Sequence, residues 1–156
     1  MARDDRPPNL SLDLTDDPTP EDRALVQRGI DEGNAARHGD DVRGLSIFLR
    51  DVEGEIWAGL VGDTRWGWLH VSLLWVEEAL QGQGWGSRLL AEAEREAVAR
   101  GCRGVFLDTL STQAPEFYRH RGYEVVGAVE GFPPGHRLIY LTKSLAPAAT
   151  DGDTAA

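Results

Sequence analysis

Residues 67–100, GWLHVSLLWVEEALQGQGWGSRLLAEAEREAVAR, constrain the fold more than any other part of the chain. The first ten form an almost unbroken apolar run, the pattern of a strand buried on both faces at the centre of a sheet. Three glycines, Gly82, Gly84 and Gly86, then alternate with larger residues just before a helical pattern. In that pattern Leu89, Leu90, Ala93 and Ala97 share one side, Glu96 stands four residues before Arg100, and Gly101 supplies a stop. A central strand feeding a glycine turn and an amphipathic helix demands a sheet with a helix laid on it. The glycines also carry a chemical hint. They leave main-chain N–H groups uncovered, and a helix start adds unpaired N–H groups and a positive dipole end, so the turn suits an anion such as a phosphate.

The flanking segments fit this frame. PEDRALVQRGIDEGNAARHG opens with a proline suited to a first helical turn, followed by acids, and predicts a helix from Pro20 to about Arg37. LSIFLR (45–50), the acidic turn DVEG (51–54) and EIWAGLVG (55–62) read as a β-hairpin. GVFLDTL (104–110) is a further strand, and QAPEFYRHRG (113–122) is a short helix ending at Gly122. YEVVGAVE (123–130) and HRLIYLTKSL (136–145) are strands joined by GFPPG. The order predicts an α/β fold: a single domain over 20–145, built on a mixed sheet with helices on both faces. Residues 1–19, rich in Asp, Arg and Pro, and the small polar residues 146–156 read as mobile tails.

Composition excludes several functions. Sixteen basic against 26 acidic residues give a net charge of −10, which disfavours nucleic acid and favours a cationic partner. The single cysteine, Cys102, rules out an internal disulfide and a multi-cysteine metal site, and its place between a helix and a strand reads as packing rather than nucleophilic chemistry. The charged N-terminus lacks a signal-peptide core, and no run approaches the roughly 18 apolar residues of a membrane span, so a cytoplasmic protein with no membrane partner is expected.

A nucleoside triphosphate loop would need a lysine where Gly86-Ser87 has none. A dinucleotide fingerprint has some support from Gly82-x-Gly84 and from Asp108 at the end of the next strand. Against it, position 87 is Ser rather than Gly or Ala, and EEALQ (77–81) intervenes after the strand. Gln81-Gly82-Gln83-Gly84-Trp85-Gly86, preceded by the strand LLWV and a short loop, instead resembles the Q/R-x-x-G-x-G/A motif with which the GNAT superfamily of N-acetyltransferases binds acetyl-CoA. QAPEFYRHRGYEVVG is similar to a second motif of that family, A-x-x-L-Y-x-x-x-G-F/Y, with Ala114, Phe117, Tyr118, Gly122 and Tyr123 in place. The likeness spans about residues 45–145. Ser111 stands where many members carry Asn, and Glu78 replaces a frequent proline.

The resemblance implies an enzyme that passes an acetyl group directly from acetyl-CoA to a primary amine, without a metal or a nucleophilic cysteine. It implies that the N–H groups of Gly82 to Ser87, among them Gln83 and Trp85, hold the pyrophosphate, that Gln81 and Ser111 add side-chain contacts, and that Leu74, Trp75 and Val76 pair with the pantetheine and supply an oxyanion donor. Tyr118 is the implied acid for the thiolate. His70, on one face of the strand with Ser72 by alternation, is a candidate base or a packed strand histidine. A small cationic amine is the expected acceptor, near Trp66, Trp68 and Glu130. A non-catalytic acetyl-CoA sensor or scaffold and, more remotely, a dinucleotide-binding domain are the alternatives; a homodimer is left open.

Overall fold

The computed structural model describes residues 9–145, so the expected tail over 146–156 and the first eight residues of the N-terminal one lie outside it. The chain divides into two compact units, one ending at Asp40 and the other beginning at Asp41. The first unit holds helix α1 (Pro20–His38). Its start follows from sequence: the Thr19 hydroxyl accepts the Asp22 amide, Pro20 opens the first turn, and Glu21 and Asp22 face the positive dipole end.

The second unit contains β1 (Arg43–Arg50), β2 (Ile56–Arg65), β3 (Trp68–Val76), a 3-10 turn at Glu78–Leu80, α2 (Trp85–Ala99), β4 (Gly104–Leu110), α3 (Pro115–Arg119), β5 (Glu124–Glu130) and β6 (Arg137–Ser144). The six strands make one sheet in the order β1-β2-β3-β4-β6-β5. Only β3 and β4 run parallel; every other neighbouring pair is antiparallel. This is the expected mixed sheet with β3 in its interior.

One sheet face carries the core. Leu45, Ala58, Leu60, Leu69, Val71, Val105, Leu107, Ile139 and Leu141 join Leu89, Leu90, Ala93 and Ala97 of α2 in a single buried cluster. Burying a leucine fully is worth about 1.5–3 kcal/mol, so the apolar side of α2 suffices to hold the helix down. Polar ties fix its direction. Arg100, paired with Glu96, donates to the Gly44 carbonyl of β1, while Glu94 accepts from the Tyr123 hydroxyl and from Lys143 of β6 at 2.8 Å each. Burial and the Glu94 carboxylate push the Tyr123 phenol well above its ordinary range, so it stays a donor.

The strand at the centre departs from its sequence pattern. The run 67–76 predicts burial on both faces, yet Ser72 and Leu73 are exposed and Trp75 is half exposed. A β-bulge is the cause: Gly62 pairs with Val71 and Val61 with Leu73, leaving Ser72 without a partner position. Alternation therefore breaks there. Cross-strand partners share a face, so His70 opposite Asp63, Leu73 opposite Val61 and Trp75 opposite Gly59 lie on one side, with Leu69, Val71, Leu74 and Val76 on the core side. Strict period two therefore does not place Ser72 beside His70, although Ser72 too is exposed and away from the core. Gly62 makes the bulge possible, because a Cβ at that position would lie 2.2 Å from the His70 carbonyl oxygen. On the other edge of β3 the ladder to β4 has three steps, Trp68 to Gly104, Leu69 to Val105 and His70 to Phe106, and then stops. Beyond His70 the two parallel strands part.

Gly62→Ala tests this arrangement. The added methyl has to push apart two backbones, so the variant is expected to lose at least about 2 kcal/mol in urea unfolding, whereas Gly44→Ala, which meets open space, changes stability by less than about 1 kcal/mol.

Candidate active site

The fork between β3 and β4 opens into a groove of about 660 Å³. Leu74, Trp75 and Val76 form one wall, Thr109 and the α3 residues Phe117 and Tyr118 the other, and residues 80–82 and 84–87 close the end, with Gln83 outside the lining. Each wall follows from local sequence. Gly82 and Gly84 have φ of 74° and 85°, conformations that side chains avoid, and nothing stands within 4 Å of where their Cβ atoms would be. The turn is thus bare main chain. Gly84 is the N-cap of α2 and brings no side chain to its first amides, whereas α1 is capped by Thr19. The amides at the head of a fifteen-residue helix are left for a ligand, with the positive dipole end behind them.

Gly86 has a different part from the other two glycines. A Cβ there would meet the Phe117 ring at 3.3 Å and Val76 at 3.8 Å, so this glycine lets α3 close against the start of α2. Trp85 lines the groove and also carries the Arg88 guanidinium 4.5 Å from its ring centroid. Gln81 and Gln83 point their amide groups back along the chain, to the Val76 and Ala79 carbonyls at 3.1 Å, and stiffen the loop.

Arg121 is a groove residue that sequence reasoning missed. Its guanidinium lies 3.6 Å from the Phe117 ring centroid, donates to the Phe117 carbonyl and contacts the Ser87 hydroxyl. It places a fixed positive charge on the lining beside the glycine turn, where an anion would need one. The signal was its position four residues after Phe117; within RHRG it reads only as the end of a helix. Gln113 was missed too: its carbonyl oxygen accepts from the Leu110 amide and the Thr109 hydroxyl, turning the chain out of β4 into α3.

Tyr118 is buried at 8% exposure, its ring edge-on to Phe117 and Tyr123, and it lines the groove. Burial, reinforced by the Asp108 carboxylate, raises its pKa above the ordinary phenol value, so the hydroxyl keeps its proton throughout the neutral range. His70 sits at the vertex of the fork, on the last step of the β3–β4 ladder. Its ring stacks on Phe106 with centroids 4.6 Å apart, and Nδ1 is 3.8 Å from a carboxylate oxygen of Asp63. Cys102 is buried, and burial raises its thiol pKa, in keeping with packing rather than catalysis.

Three expectations need correction. Ser111 does not line the groove: its hydroxyl accepts the Arg137 amide at 3.0 Å and its own amide donates to the Arg137 carbonyl, so it clasps the end of β4 to β6. Trp66 and Trp68 are not at the mouth of the fork. Trp66 has φ of 49° in the two-residue turn with Gly67, its amide held by Asp41, and Trp68 begins β3 with its ring on Gly104. Eight residues of strand, about 26 Å, separate Trp68 from Val76. Glu130 belongs to the opposite end of the sheet, where it pairs with Arg137 next to the end of β4, so the three do not form one site. Their spacing in sequence carried no information on which sheet end each would reach.

A parallel pair of strands that part over an uncapped helix start, with main-chain groups along both inner edges, defines a site for an extended ligand ending in phosphate. The sequence profile of the acetyltransferase (GNAT) family matches residues 11–123, and the chain belongs to that family. It is 41% identical over 111 residues to an acetyltransferase of Agrobacterium fabrum, covering 70% of this chain and 81% of that one. It is 45% identical over 93 residues to the blasticidin-S acetyltransferase of Streptomyces morookaense, covering 59% of this chain and 68% of that one. A crystal structure from Agrobacterium tumefaciens superposes with a TM-score of 0.82 at 36% identity, over 86% of this chain and 99% of that one. The protein is an acetyltransferase, and acetyl-CoA is its cosubstrate. The groove suits this donor: bare amides and Arg121 for phosphate, unpaired strand edges for an amide-bearing arm. Among the described residues no group of His, Cys, Asp and Glu could hold a metal, and no helix is long and apolar enough to cross a membrane.

Gly84→Glu is expected to abolish acetyl-CoA binding in calorimetry while the far-UV spectrum stays native. The new side chain enters open space, with only the strain of a positive φ, and sets a carboxylate among the amides that suit a phosphate. Gly86→Glu is a poorer probe because it strikes Phe117.

Proposed function

We propose that the protein transfers an acetyl group from acetyl-CoA directly to the primary amine of a small cationic molecule. The parting of β3 and β4 immediately after His70 carries the reading, since it opens a slot through the sheet that a thioester can enter from one side and an amine from the other. In this reading the amides of residues 82–87 and Arg121 hold the pyrophosphate, and the free inner edge of Leu74–Val76 pairs with the pantetheine. A main-chain N–H of that edge, at Leu74 or its neighbour, faces the thioester carbonyl and stabilises the developing oxyanion.

Two proton transfers complete the reaction. A lysine-like amine arrives protonated, with a pKa of about 10.4, and has to lose a proton before attack. His70, at the vertex of the fork, takes it directly or through water. Nitrogen then bonds to the acetyl carbon, the carbon–sulfur bond breaks, and Tyr118 donates its proton to the departing thiolate. The high phenol pKa keeps that proton available.

Support for the acceptor comes from the net charge of −10, from Glu130 at the mouth end of the sheet, and from the relative named for blasticidin S, a small molecule. Incubation with acetyl-CoA, a thiol reagent and a panel of cationic, neutral and anionic amines tests it, with mass spectrometry of the products. Cationic small amines are expected to release CoA fastest at low salt. Equal turnover across the panel refutes the charge preference, and no release with any amine points to a protein that only binds the donor.

Tyr118→Phe is expected to lower kcat by roughly 10²- to 10⁴-fold while acetyl-CoA affinity stays within about threefold. Because burial raises the phenol pKa, wild-type kcat is expected to hold through neutral pH and to fall only beyond the ordinary phenol range, where the phenol ionises; the variant lacks that alkaline limb. Near-normal kcat in the variant removes Tyr118 from the chemistry.

A further inference from the structure

The geometry points to Asp63 as the positioning residue that orients His70 and stabilises the charge it acquires, so that the base at the vertex of the fork works as a carboxylate–imidazole pair. The inference rests on the proposal that His70 accepts the acceptor's proton, and extends it to a residue of β2 outside both motifs.

Three observations support the pairing. Asp63 is the cross-strand partner of His70, so the two side chains leave the same sheet face side by side. The His70 ring is held from its other side by Phe106, stacked within 11° of parallel at the last step of the β3–β4 ladder. Stacking opposes rotation about the Cβ–Cγ bond, which would tilt the ring off Phe106, and so holds Nδ1 on the Asp63 side. Nδ1 lies 3.8 Å from the nearer Asp63 oxygen, an ion-pair distance rather than a hydrogen bond. Third, Asp63 is itself fixed: its second oxygen accepts from Arg65 Nε at 2.7 Å, and its side chain is 18% exposed against 32% for His70. The carboxylate bridges the two bases through separate oxygens. With the Nδ1 proton directed to Asp63, the lone pair needed to take a proton from the amine is on Nε2.

On this face β2 offers Asp63 and Arg65, and β4 offers Phe106 and, two residues on, Asp108. Beyond them stand Thr142 of β6 and Glu124 of β5, and Arg103 lies over the Trp68 ring. Among these, Asp63 is the carboxylate in contact with the imidazole. The 63–70 step lies in the regular stretch of the β2–β3 ladder, one step before Gly62–Val71 and the bulge, and His70 is at the same time the last step of the ladder to β4.

Asp63→Asn, with Asp63→Ser in parallel so that one variant failing to fold leaves the other, is measured with acetyl-CoA and the best amine of the panel. The acid limb of kcat/KM is expected to move to lower pH, with the plateau down about tenfold and KM for acetyl-CoA within threefold. The titration midpoint of the His70 ring signal in NMR is expected to move in the same direction, and Asp63→Glu to restore the limb. A packing role would lower stability without moving either midpoint. An unmoved NMR midpoint and acid limb in a folded Asp63 variant overturns the pairing and leaves His70 as the base. His70→Gln with wild-type kcat and an unchanged acid limb overturns the base assignment, and the pairing with it.

Discussion

The site depends on one missing set of hydrogen bonds. Two parallel strands in the middle of a sheet ordinarily stay paired to their ends, yet β3 and β4 share three steps and separate after His70 and Phe106. What the sheet gives up there is available to a ligand as two open main-chain edges. The separation is affordable because the rest of the sheet is continuous: β4 stays paired with β6 from Gly104 to Leu110, and β3 with β2 up to Val76. On the core face α2 packs Leu89, Leu90, Ala93 and Ala97 into the buried cluster that holds the first three strands together. The bulge at Ser72 re-aims the second half of β3 and turns Leu74 and Val76 toward the core, and Leu73 and Trp75 away from it.

Much of this was legible in the sequence, for definable reasons. Element types came from period, and α2, the hairpin and the closing strands follow the apolar pattern to within a few residues. The glycine turn was legible because Gly82 and Gly84 are in a conformation other residues avoid. Tyr118 was reached through the motif around it. The bulge was not legible, since GWLHVSLLWV contains nothing that distinguishes a regular strand from one with an extra residue; the cue lies in Gly62 of another strand. For the same reason Trp66 and Trp68 were grouped with Glu130, although topology sends them to opposite ends of the sheet. Arg121 and Asp63 escaped notice because a lone charge in sequence looks solvated until its neighbours in space are known.

The two halves of the proposed chemistry are built differently. Donor recognition rests on backbone: glycine amides, a helix start and strand edges, with Arg121 as the main charged side chain. Proton handling rests on side chains set by packing, with Tyr118 wedged between Phe117 and Tyr123 and His70 against Phe106. A substitution on the open face can alter which amine is accepted without touching the groove for the donor.

Arg121 shows what the donor groove is like between turnovers. Its guanidinium is already committed to the Phe117 ring and carbonyl and to the Ser87 hydroxyl, which join α3 to the first turn of α2. A side chain of that length waving in solvent would surrender considerable rotamer entropy on meeting a phosphate. Here that freedom is lost during folding, and the ligand meets a cation already at its station. For this side chain the entropic penalty of ordering falls on the folding of the chain rather than on each encounter with the proposed ligand.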